Sequence, residues 1–571
     1  MTLLPLLLWA CSDPAVVTRR AVSTPEALDE HCRSQVGEPR VERVTDGVFV
    51  ARGFDLANTV VVQTSDGRVV IDAGMSPARA SQAREALDAV TEGPVRALVF
   101  THSHIDHVGG ASVWAGPDTE IWATEAFSPH FFKQYGVFLP AESTRASRQF
   151  GVDLDASELP CSSIGRNADV RAALQSGALQ PTHTFTGTHT LVVGDTRIEL
   201  VEAHGETDDQ LFVHLPDAGV LLPGDNVYAA FPNLYTIRGS RPRPTGAWIA
   251  SLDAMRARDP AFLVPSHTAT VEGVEAVRHV LTTYRDGIQW VRDTVVRGAN
   301  AGTPLDRLVA EAGLPEHLAN EPVLAELYGQ IDWSVRALYT NELGWFDGRA
   351  SQLHPLAPGD RAQRTIDAMG GVDAVLSRVA EADDPRWALE LLETLEAAGT
   401  LGLDARFADA YEALAATTAN TNGRAYLLVS ARQRRAGAVE PLGEPILAEA
   451  FVEGLPIRQV LESTVARLRP GAALDVHESV VLAFTDHEPA TLTVRRGVLE
   501  VVWGTPLPGT PAPLATATVS TRTWKDLALQ RRSAAAALAD GSLSIEGSAL
   551  GFKAFMDRFQ TGLAPPAERL P

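Results

Sequence analysis

The chain has 571 residues, 45% of them hydrophobic and 21% charged, and a formal net charge of -22. That length exceeds what one hydrophobic core organises, so about three domains are expected. The negative balance, without any Lys/Arg cluster, argues against a nucleic-acid partner, because phosphate backbones are bound by basic surfaces.

Three cysteines cannot build a disulfide scaffold. Cys11 closes the apolar stretch 3–10 in the order Leu8-Trp9-Ala10-Cys11, and no later run is long and uncharged enough to span a bilayer. Cys32 and Cys161 can pair or stay as free thiols, and the sequence leaves both open. Residues 41–74 alternate in short segments around Asp66-Gly67, the pattern of an antiparallel meander. Residues 78–90 have helical spacing, with Ala83, Leu87 and Val90 on one face, and 95–100 returns as a strand.

That strand delivers Thr101-His102-Ser103-His104-Ile105-Asp106-His107-Val108-Gly109-Gly110, four potential metal ligands in six residues. An extended approach points alternate residues the same way, so His102 and His104 can face one ion while the following turn swings Asp106 and His107 toward a second. Ligand sites in α/β folds gather at strand ends, which is where this loop falls.

Residues 127–187 are less regular and hold Phe131, Phe132, Tyr135, Phe138 and Phe150. Such aromatics read first as ordinary core and second as the wall of an apolar pocket. Strands are expected at 190–193, 197–201 and 211–215, with Ala203-His204-Gly205-Glu206-Thr207-Asp208-Asp209-Gln210 before the last. Two further apolar strands end in a ligand: 220–222 leads to Pro223-Gly224-Asp225, and 262–264 leads to Pro265-Ser266-His267. Three strand ends supplying compatible ligands weigh more than any one of them.

Beyond His267 helices are expected at 274–298, 322–343, 366–381, 386–398 and 406–417. From about residue 448 a helix at 461–468, strands at 479–484, 490–495 and 498–503, and helices at 523–538 and 549–559 form a further α/β unit.

The order of these motifs, with an early Asp72-Ala73-Gly74 turn, resembles the metallo-β-lactamase superfamily, an αβ/βα sandwich with a binuclear, usually zinc, centre. The resemblance implies two Zn2+ per chain. One is held by His102, His104 and Glu206, the other by Asp106, His107 and His267, with Asp225 bridging. A Glu at 206, where most of the superfamily has His, is similar to the alkylsulfatase branch, and His204 stands as the alternative ligand. The same branch is resembled by Pro232-Asn233-Leu234-Tyr235-Thr236-Ile237-Arg238-Gly239, by the stretch from Ile331-Asp332-Trp333 to Trp345-Phe346-Asp347-Gly348, and by Leu353-His354-Pro355-Leu356. It departs at Asp225 and Gln210, where the branch typically has Glu.

The resemblance divides the chain into a lipoprotein-type signal and linker (1–20), the catalytic α/β domain (21–272), a helical dimerisation domain (273–440) and a sterol-carrier-like α/β domain (441–571). The apolar stretch closing at Cys11 resembles a bacterial lipoprotein signal and implies an exported protein, periplasmic or membrane-anchored through a lipidated Cys11; the alkylsulfatase resemblance implies a homodimer, whose contact is expected to include Trp333, Trp345 and Phe346. The implied reaction cleaves an amphiphilic alkyl sulfate ester to alcohol and sulfate with hydroxide generated at the metals. Catalytic roles fall on Asp225 and Arg238, and substrate binding on Arg238, Asn233 and Tyr235, since a guanidinium fork suits a tetrahedral oxyanion. The alternatives are lactone, thioester or β-lactam hydrolysis on the same scaffold, and a lipid-binding protein with a vestigial metal site.

Overall fold

The computed structural model describes residues 18–21, 23–134, 138–437 and 449–560. Cys11 and Tyr135 lie outside the described residues. No described helix is long and apolar enough to cross a membrane.

Alternation along the strands sets the architecture of the first half. In the strand Thr59–Thr64, Val60 and Val62 enter one buried cluster while Val61 enters another; in Gly67–Ile71, Val69 and Ile71 part from Val70 in the same way, and in Val95–Val99 Leu98 parts from Ala97 and Val99. Both faces are therefore covered, which is why these strands read as unbroken apolar runs. The first cluster is shared with Leu211, Val213, Val220 and Leu222 of a second sheet, whose Phe212 and Leu221 face away from it. A seven-stranded sheet begins as the expected meander from Arg40–Thr45 to Gly67–Ile71 and continues in parallel through Val95–Val99, Glu120–Thr124 and His183–Phe185. It packs on a six-stranded sheet that includes Leu211–Leu215, Val220–Leu222 and Phe262–Leu263. Helix Pro77–Asp88 buries Ala80, Ala83 and Leu87 on the outer face of the first sheet, and helices Thr245–Arg256 and Val274–Asn300 cover the second through Trp248, Leu252, Val277 and Leu281. The result is a helix, sheet, sheet, helix sandwich. Each fully buried Val or Leu contributes roughly 1.5–3 kcal/mol.

The helical expectations need three corrections. The continuous helix over 322–343 is broken into a turn at Pro322–Leu324 and a helix at Ile331–Leu343. Between them the backbone bonds elsewhere: Phe231 N donates to Ala325 O, Gly329 N to Phe231 O, and Thr421 N to Leu327 O. Satisfying these groups at a distance releases the segment from helix and sends Tyr328 toward the functional cavity described below. At 366–381 the helix is two, Pro358–Ala368 and Val372–Glu381, because Gly370 and Gly371 adopt φ of 100° and 95°. At 523–538 it is again two, Thr521–Ala528 and Ala534–Ala539, with Gln530 at φ 57° between them. Conversely, the described part of the irregular stretch holds three helices, Phe127–Gln134, Leu139–Gln149 and the short Val170–Ala173.

The last unit is a five-stranded sheet that adds Pro513–Val519 and Leu543–Gly547 to the three expected strands, closed by Ile457–Val465, Thr521–Ala528 and Ala549–Met556 over one apolar core. Leu455, at its entrance, packs on the cluster containing Phe131 and Phe132 of the first half.

Cys32 and Cys161 form a disulfide across 129 residues of sequence. It braces the buried cluster that holds Leu56, Met75 and Ile164. Closing so long a loop restricts the unfolded chain, by about 2–5 kcal/mol on the usual scale. Cys161→Ser is expected to lower the first calorimetric transition by several degrees without reductant. Cys32→Ser/Cys161→Ser should lower it no further, since one bond is lost in either case.

Candidate metal centre

The strand Val95–Val99 ends in an extended turn, and His104, at φ -64° and ψ 147°, opens the short helix Ile105–Val108 that carries Asp106 and His107. The Gly109-Gly110 pair beyond it lies directly on the backbone of 73–75, where a Cβ at either glycine would run into the Met75 or Ala73 carbonyl. Glu206 sits in the loop before Leu211–Leu215, Asp225 in the turn Gly224–Asn226 after Val220–Leu222, and His267 just beyond Phe262–Leu263. Asp225 depends on Gly224, at φ 60°, because a side chain there would meet Gln210.

The expected ligands converge. Three groups, His102/His107/Asp225, Asp106/His107/His267 and His104/Glu206/Asp225, each present ligand atoms within 4.8 Å of one another. His267 Nε2 is 3.2 Å from Asp225 Oδ2 and 3.6 Å from Asp106 Oδ2, and His107 Nε2 is 3.3 Å from Asp225 Oδ1 and 3.5 Å from Asp106 Oδ2. His102 Nε2 is 3.6 Å from Asp225 Oδ2, and His104 Nδ1 is 3.9 Å from Glu206 Oε1. Bonds of about 2.0–2.1 Å arranged tetrahedrally put ligand atoms roughly 3.3 Å apart, so the spacing fits small divalent ions. The buried His107 Nε2 and Asp225 Oδ1 lack a hydrogen-bond partner, as unshared metal ligands would.

Outer partners settle which imidazole nitrogen faces inward. His267 Nδ1 donates to the Leu56 carbonyl at 2.8 Å, and a carbonyl only accepts, so Nε2 carries the lone pair. His107 Nδ1 lies 2.7 Å from Asp72 Oδ2, with the same consequence. The wholly buried Asp72 also accepts from Thr101 N and Oγ1, both at 2.9 Å, and from Ser266 Oγ at 2.8 Å.

Without ions the cluster polarises itself. Burial would raise the Asp225 carboxyl, yet His107 and His267 hold it well below the usual carboxylate range. Burial drives His102 and His104 well below the usual imidazole value, so both stay neutral and able to ligate. Burial pushes Glu206 up, against the pull of Arg243.

Arg243, which the motif reading passed over, is 4% exposed and pairs with Glu206 at 2.5 Å. Five residues after Arg238, it looks no different in sequence from Arg241, which lies outside and pairs with Asp208 at 3.2 Å. His204 turns away from the cluster, 3.2 Å from Glu202, so the loop brings in Glu206 and not His204.

A cavity opens on the ligand cluster. Its polar lining includes His104, Asp106, Asn233, Arg238 and Arg243, and its apolar lining Leu56, Met75, Leu139, Phe150 and Ile164. Arg238 Nη2 lies 3.1 Å from His104 Nε2, and its backbone N donates to Gln149 Oε1 at 2.7 Å. Asn233 is buried, whereas Tyr235 is half-buried and is not among the lining residues. Of the aromatic cluster, Phe131 and Phe132 are core, Phe150 is wall, and Phe138 is exposed.

Residues 52–267 match the metallo-beta-lactamase superfamily, 305–437 the alkyl sulfatase dimerisation domain and 446–563 the alkyl sulfatase C-terminal domain. A linear primary-alkylsulfatase from a Pseudomonas strain is 29% identical over 534 residues, covering 89% of this chain and 99% of its own. An (R)-specific secondary-alkylsulfatase from Pseudomonas sp. is 29% identical over 545 residues, covering 88% and 78%. The solved structure of a stereoselective inverting sec-alkylsulfatase from Pseudomonas sp. superposes with a TM-score of 0.87 at 25% identity, covering 97% of this chain and 89% of that one.

Asp72→Asn turns one acceptor oxygen into a donor facing Thr101, Ser266 or His107. It is expected to weaken metal retention about 10- to 100-fold, measured by chelator competition, while the fold persists by circular dichroism. Glu206→Ala should lose metal from the same assay, and His204→Ala should not.

Proposed function

Because the chain belongs to the metallo-β-lactamase superfamily and carries the alkyl sulfatase dimerisation and C-terminal domains, we propose that it hydrolyses alkyl sulfate esters at a binuclear zinc centre. The observation that carries this reading is the cavity itself. Arg238, 3.1 Å from His104, and Asn233 line it together with the candidate ligands, and Leu56, Met75, Leu139, Phe150 and Ile164 give the same cavity an apolar lining. An amphiphile with an anionic head and an alkyl tail has that polarity.

Two zinc ions held by His102, His104, Glu206 and by Asp106, His107, His267, with Asp225 between, would supply Lewis acidity and lower the pKa of a water to roughly 7. Arg238 presents a planar fork to the sulfate oxygens, anchored through its backbone to Gln149, and Asn233 adds an amide donor. Arg243 holds the Glu206 carboxylate in place and pulls its carboxyl down against the burial that pushes it up. Leu56, Met75, Leu139 and Phe150 exclude water from the alkyl chain and strengthen the charge contacts beside it.

A homodimer belongs to the same proposal: the helical region exposes Leu343, Trp345, Leu353 and Leu356, apolar area that a symmetric contact would bury. Domain limits at 272 and 440 and a sterol-carrier-like nature for the last unit are included, the latter resting on its order of elements. Export, as a periplasmic or lipid-anchored protein, is supported by the Cys32–Cys161 disulfide, since such bonds persist in oxidising compartments.

Metal analysis should give two zinc ions per chain, with His102→Ala and His107→Ala each retaining about one; chelation should abolish hydrolysis and zinc restore it. Arg238→Ala is expected to keep both metals and lose roughly ten- to a hundred-fold in kcat/KM on decyl sulfate, from a charge-assisted hydrogen bond of about 1.5–3 kcal/mol. Arg238→Lys should recover part of it. An equal loss on a neutral lactone would move the reading to lactone or thioester hydrolysis. Sedimentation at micromolar concentration should show twice the 61.1 kDa chain mass.

A further inference from the structure

The helix Leu139–Gln149 turns one stripe to the cavity: Leu139, Glu142, Ser143, Ala146 and, just past its end, Phe150. Spacing of three and four residues puts these side chains on one helix face. Four of the five are apolar or small, as an alkyl chain requires. Glu142 is not, and it places a carboxylate in the wall of a cavity that receives an anion.

Its position is at the head end. A Cβ on Gly239, the residue after Arg238, would stand 4.0 Å from Glu142 Cγ and 3.6 Å from Arg145 Nη1. Burial pushes the Glu142 carboxyl up, while Arg238 from the facing loop and Arg145 from its own helix pull it down. Among the described residues neither arginine forms an ion pair with it, so Glu142 is not there to fix either side chain. Arg243 is already paired with Glu206, so of the two arginines that line the cavity Arg238 is the one that Glu142 offsets, with Arg145 beside it on the same helix.

We propose that Glu142 sets the charge selectivity of the head end, admitting a monoanionic headgroup and rejecting a dianionic one. The inference rests on the sulfate ester reading above. A sulfate monoester carries one negative charge. Hydrolysis adds water across it and yields the alcohol, a proton and sulfate dianion, so the product carries one charge more than the substrate. A fixed carboxylate repels the dianion twice as strongly as the monoester. Glu142 thus lowers affinity for the substrate somewhat and for the released sulfate much more, which speeds product departure. Phosphate monoesters, with a second pKa near 6, are dianions at pH 8 and fall on the rejected side.

The test compares the zinc-loaded wild type with Glu142→Gln, which keeps size and removes charge, and with Glu142→Ala as a second variant. Dissociation constants for decyl sulfonate, decyl phosphate and inorganic sulfate are measured at pH 8 by calorimetry. Removing one unit charge across such a cavity should tighten all three, and the decyl phosphate and sulfate constants about tenfold more than that of decyl sulfonate. Product inhibition by sulfate in decyl sulfate hydrolysis should rise in parallel. Constants that keep the wild-type ratio in both variants at pH 8 overturn the inference. A wild type that binds these ligands but leaves decyl sulfate intact overturns the sulfatase reading instead, without touching the ratio.

Discussion

Asp72, at one strand end, accepts hydrogen bonds from the loops that follow two others, and the rest of the site depends on that convergence. Thr101 precedes the histidine loop, His107 closes it, and Ser266 precedes His267; all of them donate to one buried carboxylate at the end of Gly67–Ile71. Burying a charge is costly unless it is fully hydrogen-bonded, and Asp72 meets that condition with four donors. The arrangement has a backbone requirement as well: Asp72 sits at φ 58°, which an Asp tolerates better than most residues. The same contacts choose the His107 tautomer, so a structural carboxylate decides which nitrogen is free to hold a metal.

The cavity is assembled more loosely, from segments that share no pattern. The loop bearing Asn233 and Arg238 is held on one side by Gln149, which accepts from Thr236 Oγ1 and Arg238 N, and on the other by backbone exchange between Phe231 and the segment Ala325 to Gly329. Asn420, at the start of Thr421–Ala436, donates to the Tyr328 carbonyl at 2.9 Å and keeps that segment out of helix. Tyr328 lines the cavity as a result. The helical region is thus part of the cavity wall, apart from any role in association.

Sign of charge separates the two halves of the site. The ligand cluster gathers Asp106, Asp225 and Glu206, an arrangement that needs cations, and Arg243 neutralises part of it from the protein side. Beyond the cluster Arg238 is positive and Glu142 negative within one cavity. A monoanion with an apolar tail meets one favourable contact there, and each added negative charge meets opposition.

Sequence alone placed the candidate ligands and the layered core. Each ligand follows a short apolar strand within a few residues, and alternation such as Val60, Val61, Val62 is written locally, so both survive without knowledge of distant partners. The Glu at 206 was legible as well, though its choice over His204 came from a resemblance and not from spacing. Tertiary structure decided the Cys32–Cys161 pairing, the inward turn of Arg243 against the outward turn of Arg241, the placing of Tyr235 off the cavity lining, and the break before Ile331 that brings in Tyr328. In each case the deciding partner lies elsewhere in the fold: Glu206 for Arg243, Phe231 and Asn420 for the Tyr328 segment. Local propensity carries no information about a hydrogen bond whose acceptor lies tens or hundreds of residues away, and a buried donor takes that acceptor at the expense of the helix its own sequence favours.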